Sequence, residues 1–176
     1  MYSGKSTTLL SYEKKFTVAK KNFVCINHSF DNRYETEETS GIITHDNNKS
    51  ISKTIMCKNL NTLNERKDLN LNELDAMIID EIQFFESSDC ISFLEEWANK
   101  GKIIVCGGLS GNFKKEPFET ISNIISIADN IIHLKSVCSI CGDDGIYSKR
   151  TISNEDLIVV GSDNIYQPRC RKCFTI

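Results

Sequence analysis

Apolar residues recur at spacings of three and four from Leu9 through Tyr12 and Phe16 to Ala19, with Lys14, Lys15, Lys20 and Lys21 towards the end. That period predicts a helix after Ser6, with positive charge near the end where the helix dipole favours it. The pattern then changes. "FVCINH" (Phe23 to His28) is a short apolar run that reads as a buried strand. From Asp31 to about Leu74 the chain is polar and Asn-rich, with one candidate strand around Ile51 to Cys57 and one candidate helix before Leu74. "AMIID" (Ala76 to Asp80) is again a continuous apolar run, as expected of a parallel strand buried on both faces. Ser88 to Lys100 returns to the helical period, with Ile91, Leu94, Trp97 and Ala98 on one face and Gly101 as a stop. "KIIVCGG" (Lys102 to Gly108) predicts a strand, Pro117 to Ala128 a helix, and "NIIHL" (Asn130 to Leu134) a further strand. Strands alternating with helices predict an α/β fold, a parallel sheet with helices on both faces.

The 176 residues suffice for one ordinary domain with a small appendage. A hydrophobic share of 40% and a charged share of 26% are those of a globular chain, which excludes the disordered class. The net charge of -3, without any basic block, argues against a dedicated nucleic-acid surface. No apolar run approaches a membrane span, and the start does not read as a signal peptide. The expectation is therefore a cytoplasmic protein with neither nucleic acid nor membrane as partner.

Two short stretches carry candidate chemistry. "MYSGKST" closes like a phosphate-binding loop, whose full pattern is G-x-x-x-x-G-K-[ST]. Gly4 lets the backbone approach an anion, the free N–H groups of the following helix start point at it, Lys5 reaches the outer phosphates, and the Ser6 hydroxyl can ligate Mg²⁺. "IIDEIQFF" places Asp80 at the end of an apolar strand, at the sheet edge where open α/β folds bind ligands. An Asp there serves the magnesium side of phosphate-loop enzymes, and the adjoining Glu81 can accept a proton from an attacking hydroxyl. Alone, each stretch also reads as an ordinary polar loop; their order and separation point to phosphoryl transfer.

The eight cysteines divide into two sets. Cys25, Cys57, Cys90 and Cys106 are scattered among apolar neighbours and read as small buried hydrophobes. Cys138 with Cys141 and Cys170 with Cys173 form two C-x-x-C pairs, the ligand set of a four-thiolate zinc site. Four thiolates close the coordination shell, so such a zinc is structural; a redox dithiol is the competing reading. The shift in composition near Lys135 divides the chain into residues 1–134, a kinase core, and 135–176, a zinc-anchored segment.

Together these features resemble the zinc-containing, cellular-type thymidine kinase family over essentially the whole chain. "MYSGKST" resembles its phosphate loop, "FDNRY" its D-x-R segment, and "THD" (Thr44 to Asp46) its T-H-D. "DEIQFF" resembles its D-E-x-Q-F-F and "LSGNFKKEPF" its L-D-G-x-F…PF stretch. "YSKR", "VVGSDNIY" and the paired cysteines resemble its lasso and zinc site.

The resemblance implies a phosphate-loop, RecA-like sheet with a small zinc-ribbon and lasso subdomain. It also implies transfer of the γ-phosphoryl of ATP to the 5′-hydroxyl of thymidine, with deoxyuridine as a further acceptor. Glu81 falls on the catalytic base, Ser6 and Asp80 on the magnesium side, and Lys5 on the phosphates, with Ser3, Gly4 and Thr7 completing the loop. Asp31, Arg33 and Gln83 fall on nucleotide-side segments. Leu109, Phe113 and Phe118 match positions around the base, with Phe84 nearby; in the residues' own terms these aromatics read as core. Met1, Ser148, Leu157, Val159, Gly161 and Tyr166 fall on the substrate side, the lasso clasping the nucleoside through its backbone. Family members are commonly homotetramers inhibited by thymidine triphosphate, and that too is implied.

Three departures qualify the resemblance. Ser110 stands where an Asp is usual and Asn112 where a Thr is common, which alters hydrogen bonding near the pocket. The first loop Gly and the strand that delivers it would lie before Met1, so the expectation is a fragment or a misassigned start. A decayed, kinase-like zinc-binding protein is the alternative if Met1 is the true start. A phosphate-loop kinase for another small hydroxyl substrate is the second.

Overall fold

The computed structural model describes residues 2–29, 54–153, 159 and 165–175. Helix α1 spans Lys5–Val18 and follows Gly4, whose φ of 80° turns the chain into the helix. It buries Leu9, Leu10, Glu13 and Phe16, while Ala19 lies beyond its end and is exposed. Strand β1 (Phe23–His28) has the predicted bounds, as does β3 (Ala76–Asp80). Strand β2 covers Thr54–Cys57, the second half of its candidate run, and β4 covers Ile103–Cys106.

These four strands form one parallel sheet in the order β2-β1-β3-β4. The pleat sorts their side chains onto two faces. Cys25, Ala76 and Ile78 join Leu9, Leu10 and Phe16 beneath α1. Val24, Ile26, Met77 and Ile79 face the other way, into the larger core with Phe93, Leu94 and Trp97 of α2 (Ser87–Asn99). Burial on both faces explains the lack of apolar–polar alternation in β1 and β3.

The buried face of α2 is rotated from the expected one. Cys90, Phe93, Leu94 and Trp97 are buried, Ile91 is half-buried and Ala98 is exposed. The helix is capped by the Glu86 carboxylate, which accepts the Asp89 N–H at 2.9 Å, and it ends at Gly101, φ 80°.

Two expectations are corrected. The segment before Leu74 forms two short 3-10 turns, Leu60–Glu65 and Leu71–Glu73, and no α-helix. Asn59 and Asn70 each cap one by accepting a backbone N–H two residues on, which favours turns over a continuous helix. Asn130 to Leu134 is not a strand. No described strand lies beside it to complete a ladder, and Ile131 and Ile132 are 59% and 61% exposed.

Helix α3 (Glu119–Ile127) precedes that segment. Beyond it, β5 (Ser136–Val137) pairs antiparallel with β6 (Asp144–Gly145), and β7 (Tyr147–Arg150) with β8 (Tyr166–Arg169). Among the described residues no helix is long and apolar enough to cross a membrane.

Candidate active site

The start of α1 and the carboxyl end of β3 meet at Lys5. Its ammonium is hydrogen-bonded to Asp80 Oδ1 and lies 2.9 Å from Glu81 Oε1. Burial disfavours the lysine's charge, but the two carboxylates outweigh it and hold the ammonium well above its ordinary range. Asp80 and Glu81 are themselves buried, at 4% and 8% exposure. Asp80 Oδ1 also accepts the Glu81 N–H at 2.8 Å.

Glu81 has a left-handed backbone, φ 52° and ψ 39°, which costs a non-glycine residue about 1 kcal/mol or more. Its neighbours determine that geometry. The Ile82 N–H donates to the Gly107 carbonyl at 3.0 Å, and Gln83 Nε2 donates to Glu81 Oε2 at 2.6 Å. Gln83 is buried, and its own carbonyl oxygen accepts the Leu109 N–H at 3.1 Å. Both ends of the Gln83 amide are thus engaged by protein.

Gly107 and Gly108 let β4 run close beneath this cluster. A Cβ on Gly107 would meet Leu9 Cδ1 at 2.8 Å and Lys5 Cγ at 3.3 Å. One on Gly108 would meet Ile121 Cδ1 at 2.7 Å, Ile82 Cγ2 at 2.8 Å and Gln83 Oε1 at 2.9 Å. Neither glycine stands out among the sequence candidates; the adjacent pair closing a strand was the available signal.

The loop after β4 carries Leu109, Phe113 and Phe118. An isolated bridge between Gly111 and Pro117 closes it. Asn112, buried inside the turn, accepts the Lys114 and Glu116 N–H groups and donates to the Glu116 carboxylate. The departure at Asn112 therefore serves the loop's own shape, whereas the Ser110 side chain is exposed and its carbonyl accepts the Phe118 N–H.

Phe113 lies under the guanidinium of Arg150, which also donates to the Tyr166 hydroxyl. That hydroxyl in turn donates to the Val159 carbonyl at 3.1 Å. Arg150 was not among the candidates. Phe84 sits in a 3-10 turn (Ile82–Phe84) after Glu81, its ring 6.0 Å from that of His28. Ser148 is paired with Pro168 across β7 and β8. Ser3 and Ser6 are half-buried at the start of α1 and Thr7 is exposed. Met1, Asp31, Arg33, Thr44 to Asp46, Leu157 and Gly161 lie outside the described residues.

The four paired cysteines converge: their sulfur atoms all lie within 4.8 Å of one another. Cys138, Cys170 and Cys173 are buried and Cys141 is exposed. The first C-x-x-C turn is held by Cys138 N–H to the Asp143 carbonyl (2.7 Å) and by Ser139 N–H to the Pro168 carbonyl of β8 (3.0 Å), just before Cys170. Burial opposes ionisation of the Cys138 thiol, but backbone amides of Cys141, Cys170 and Ile140 outweigh it and bring it down to about 6. Four sulfurs at this spacing, one already disposed to ionise, fit a tetrahedral soft-metal site such as zinc. Of the scattered cysteines, Cys25 and Cys90 are buried as expected, whereas Cys57 and Cys106 are only half-buried; burial pushes the Cys57 thiol up to about 11 and Cys90 to about 12, which keeps both unreactive.

A family model described as thymidine kinase matches residues 1–174. The thymidine kinase of Choristoneura fumiferana entomopoxvirus is 37% identical over 174 residues, covering 99% of this chain and 91% of the relative. The thymidine kinase of Vaccinia virus (strain Western Reserve) is 34% identical over 176 residues, covering 99% and 92%, and that of Monkeypox virus is equally similar. With the lysine–carboxylate cluster at the sheet edge and the four-cysteine site beyond it, the chain belongs to the thymidine kinase family.

Proposed function

We propose that the protein transfers the γ-phosphoryl group of ATP to the 5′-hydroxyl of thymidine, and that the Lys5, Asp80 and Glu81 cluster is where it does so. The observation that carries this reading is one ammonium at a helix N-terminus engaging two buried carboxylates at the end of a parallel strand. The start of α1, from Ser3 through Gly4 to Thr7, offers N–H groups and a positive helix end to the phosphates. Lys5, drawn from the carboxylates to the outer phosphates, adds a mobile charge. Its departure leaves Glu81 Oε1 available to accept the hydroxyl proton. Ser6 and Asp80 would hold Mg²⁺, whose charge neutralises the phosphate oxygens.

The nucleoside occupies the space framed by the loop carrying Leu109, Phe113 and Phe118 and by the segment carrying Val159 and Tyr166. Phe84 and Ser148 stand at its edges, and Met1, Leu157 and Gly161 belong to the same side. Asp31 and Arg33 take the nucleotide side. Cys138, Cys141, Cys170 and Cys173 hold a structural zinc, and closing the long loop between the two pairs on a metal offsets part of its ordering entropy. Residues 1–134 are the catalytic core and 135–176 the zinc-anchored unit. A reducing cytoplasm suits the thiolates. A homotetramer and inhibition by thymidine triphosphate complete the reading by kinship.

The direct test is Glu81→Gln. Turnover of thymidine with magnesium-ATP should fall by about 10²- to 10⁴-fold, the usual worth of a general base. Thymidine affinity by calorimetry should hardly move. Near-normal turnover would remove Glu81 from the reaction.

A further inference from the structure

Two residues of the proposed thymidine side, Phe113 and Tyr166, converge on Arg150, the last residue of the "YSKR" stretch. Arg150 is the last residue of β7 and is 8% exposed. Its guanidinium carbon lies 3.6 Å from the Phe113 ring centroid, within the range of a close cation–π contact. Its Nη2 donates to the Tyr166 hydroxyl at 2.7 Å, from the residue directly opposite across β8. The Tyr166 hydroxyl passes the interaction on, donating to the Val159 carbonyl at 3.1 Å. The Val159 N–H donates back to the same hydroxyl at 3.4 Å, so the Tyr166 hydroxyl accepts from both guanidinium and backbone while donating to the Val159 carbonyl.

Arg150 thus ties together two segments that are remote in sequence. One is the loop after β4, whose Phe113 it covers. The other is Val159, which it reaches through Tyr166. A lysine in its place would carry the charge, but it would lack the planar group that stacks on a ring while donating from its edge.

We infer that Arg150 is a positioning residue that ties the Phe113 loop, through Tyr166, to Val159 and thereby sets affinity for the nucleoside. The inference rests on the proposed placement of thymidine between these segments. The contacts of Arg150 with Phe113 and Tyr166 lie on the proposed thymidine side, so the ATP side should be insensitive to it.

The test compares Arg150→Met, Arg150→Lys and Tyr166→Phe in the full chain, with Phe113→Ala as a check on the placement itself. KM for thymidine, KM for ATP, kcat and zinc content are measured for each. Arg150→Met should raise the thymidine KM by about tenfold to a hundredfold, the scale of a lost hydrogen bond to a charged group, with the ATP KM changed by no more than about twofold. Arg150→Lys should restore little of it. Tyr166→Phe should act in the same direction, and combining it with Arg150→Met should add less than the two separate effects. Zinc content should be unchanged throughout.

A normal thymidine KM in Arg150→Met, with a raised one in Phe113→Ala, overturns the inference and leaves the placement standing. Normal values in both overturn the placement and the inference with it. Equal rises in the thymidine and ATP values point to general loss of structure and also overturn it. Should Arg150→Met fail to fold, Arg150→Lys and Tyr166→Phe decide by the same criteria.

Discussion

Glu81 Oε1 faces the Lys5 ammonium at 2.9 Å, while Glu81 Oε2 takes a hydrogen bond from Gln83 at 2.6 Å. One oxygen thus pairs with a charge that phosphates can attract away, and the other is held by an amide whose far end is fixed to the Leu109 N–H. If Gln83 orients the base, its value is in turnover and not in binding. Gln83→Met should lower kcat by about tenfold to a hundredfold, with both KM values little changed. Kinetics in which the ATP KM rises and kcat holds would instead put Gln83 on the nucleotide.

Gly108 gives a prediction about stability. A methyl there would press on Ile121, Ile82 and the Gln83 carbonyl, all within 3 Å. Gly108→Ala should cost about 1–3 kcal/mol by overpacking, read as a lower denaturant midpoint, and should reduce turnover through the displaced Gln83. A variant as stable and active as the parent would show that these three side chains give way freely.

The four-cysteine site predicts about one zinc per chain by metal analysis, the stoichiometry of a four-thiolate site. Cys170→Ser, or chelation, should weaken thymidine binding more than ATP binding, because a metal there would anchor the proposed nucleoside side and not the Lys5 cluster. Full thymidine affinity without metal would separate the site from substrate binding.

His28 carries the pH prediction. Burial, which disfavours its charge, lowers its pKa below the ordinary 6.5, and its ring packs edge-on against Phe85 at 4.7 Å. Below 6.5 the unfolded chain takes up the proton first, so stability is intact above that pH and declines as pH falls towards the folded-state value. His28→Gln should show a shallower decline. The gap in melting temperature between parent and variant, measured at pH 7.5 and at pH 5.5, should differ; a constant gap would assign the acid sensitivity to other groups.

The sheet was legible because β1 and β3 are apolar on both faces, and such runs have few other homes. Lys5, Asp80 and the cysteines were legible because their chemistry demands fixed spacing. The run Asn130 to Leu134 misled, since an apolar run specifies a strand only when a neighbour completes its ladder, and neighbours are non-local. The rotated face of α2 escaped for a related reason: Phe93 and Ile91 are both apolar, and only the packed core decides between them. Arg150 escaped because its partners Phe113 and Tyr166 are 37 and 16 positions away, and nothing local shows that a basic residue ends a strand pointing inward.

The left-handed backbone at Glu81 sets fold and reaction against each other at one position. Glycine or asparagine would adopt φ 52° with less strain, so a chain selected for heat resistance alone would drift towards either of them. Relieved of that strain, such a protein should melt later, and with Glu81 as the proposed base it should turn over thymidine about 10²- to 10⁴-fold more slowly. On the proposed role of Glu81, the strain at residue 81 is what activity costs in stability, and stabilising screens on this enzyme should hold that position fixed.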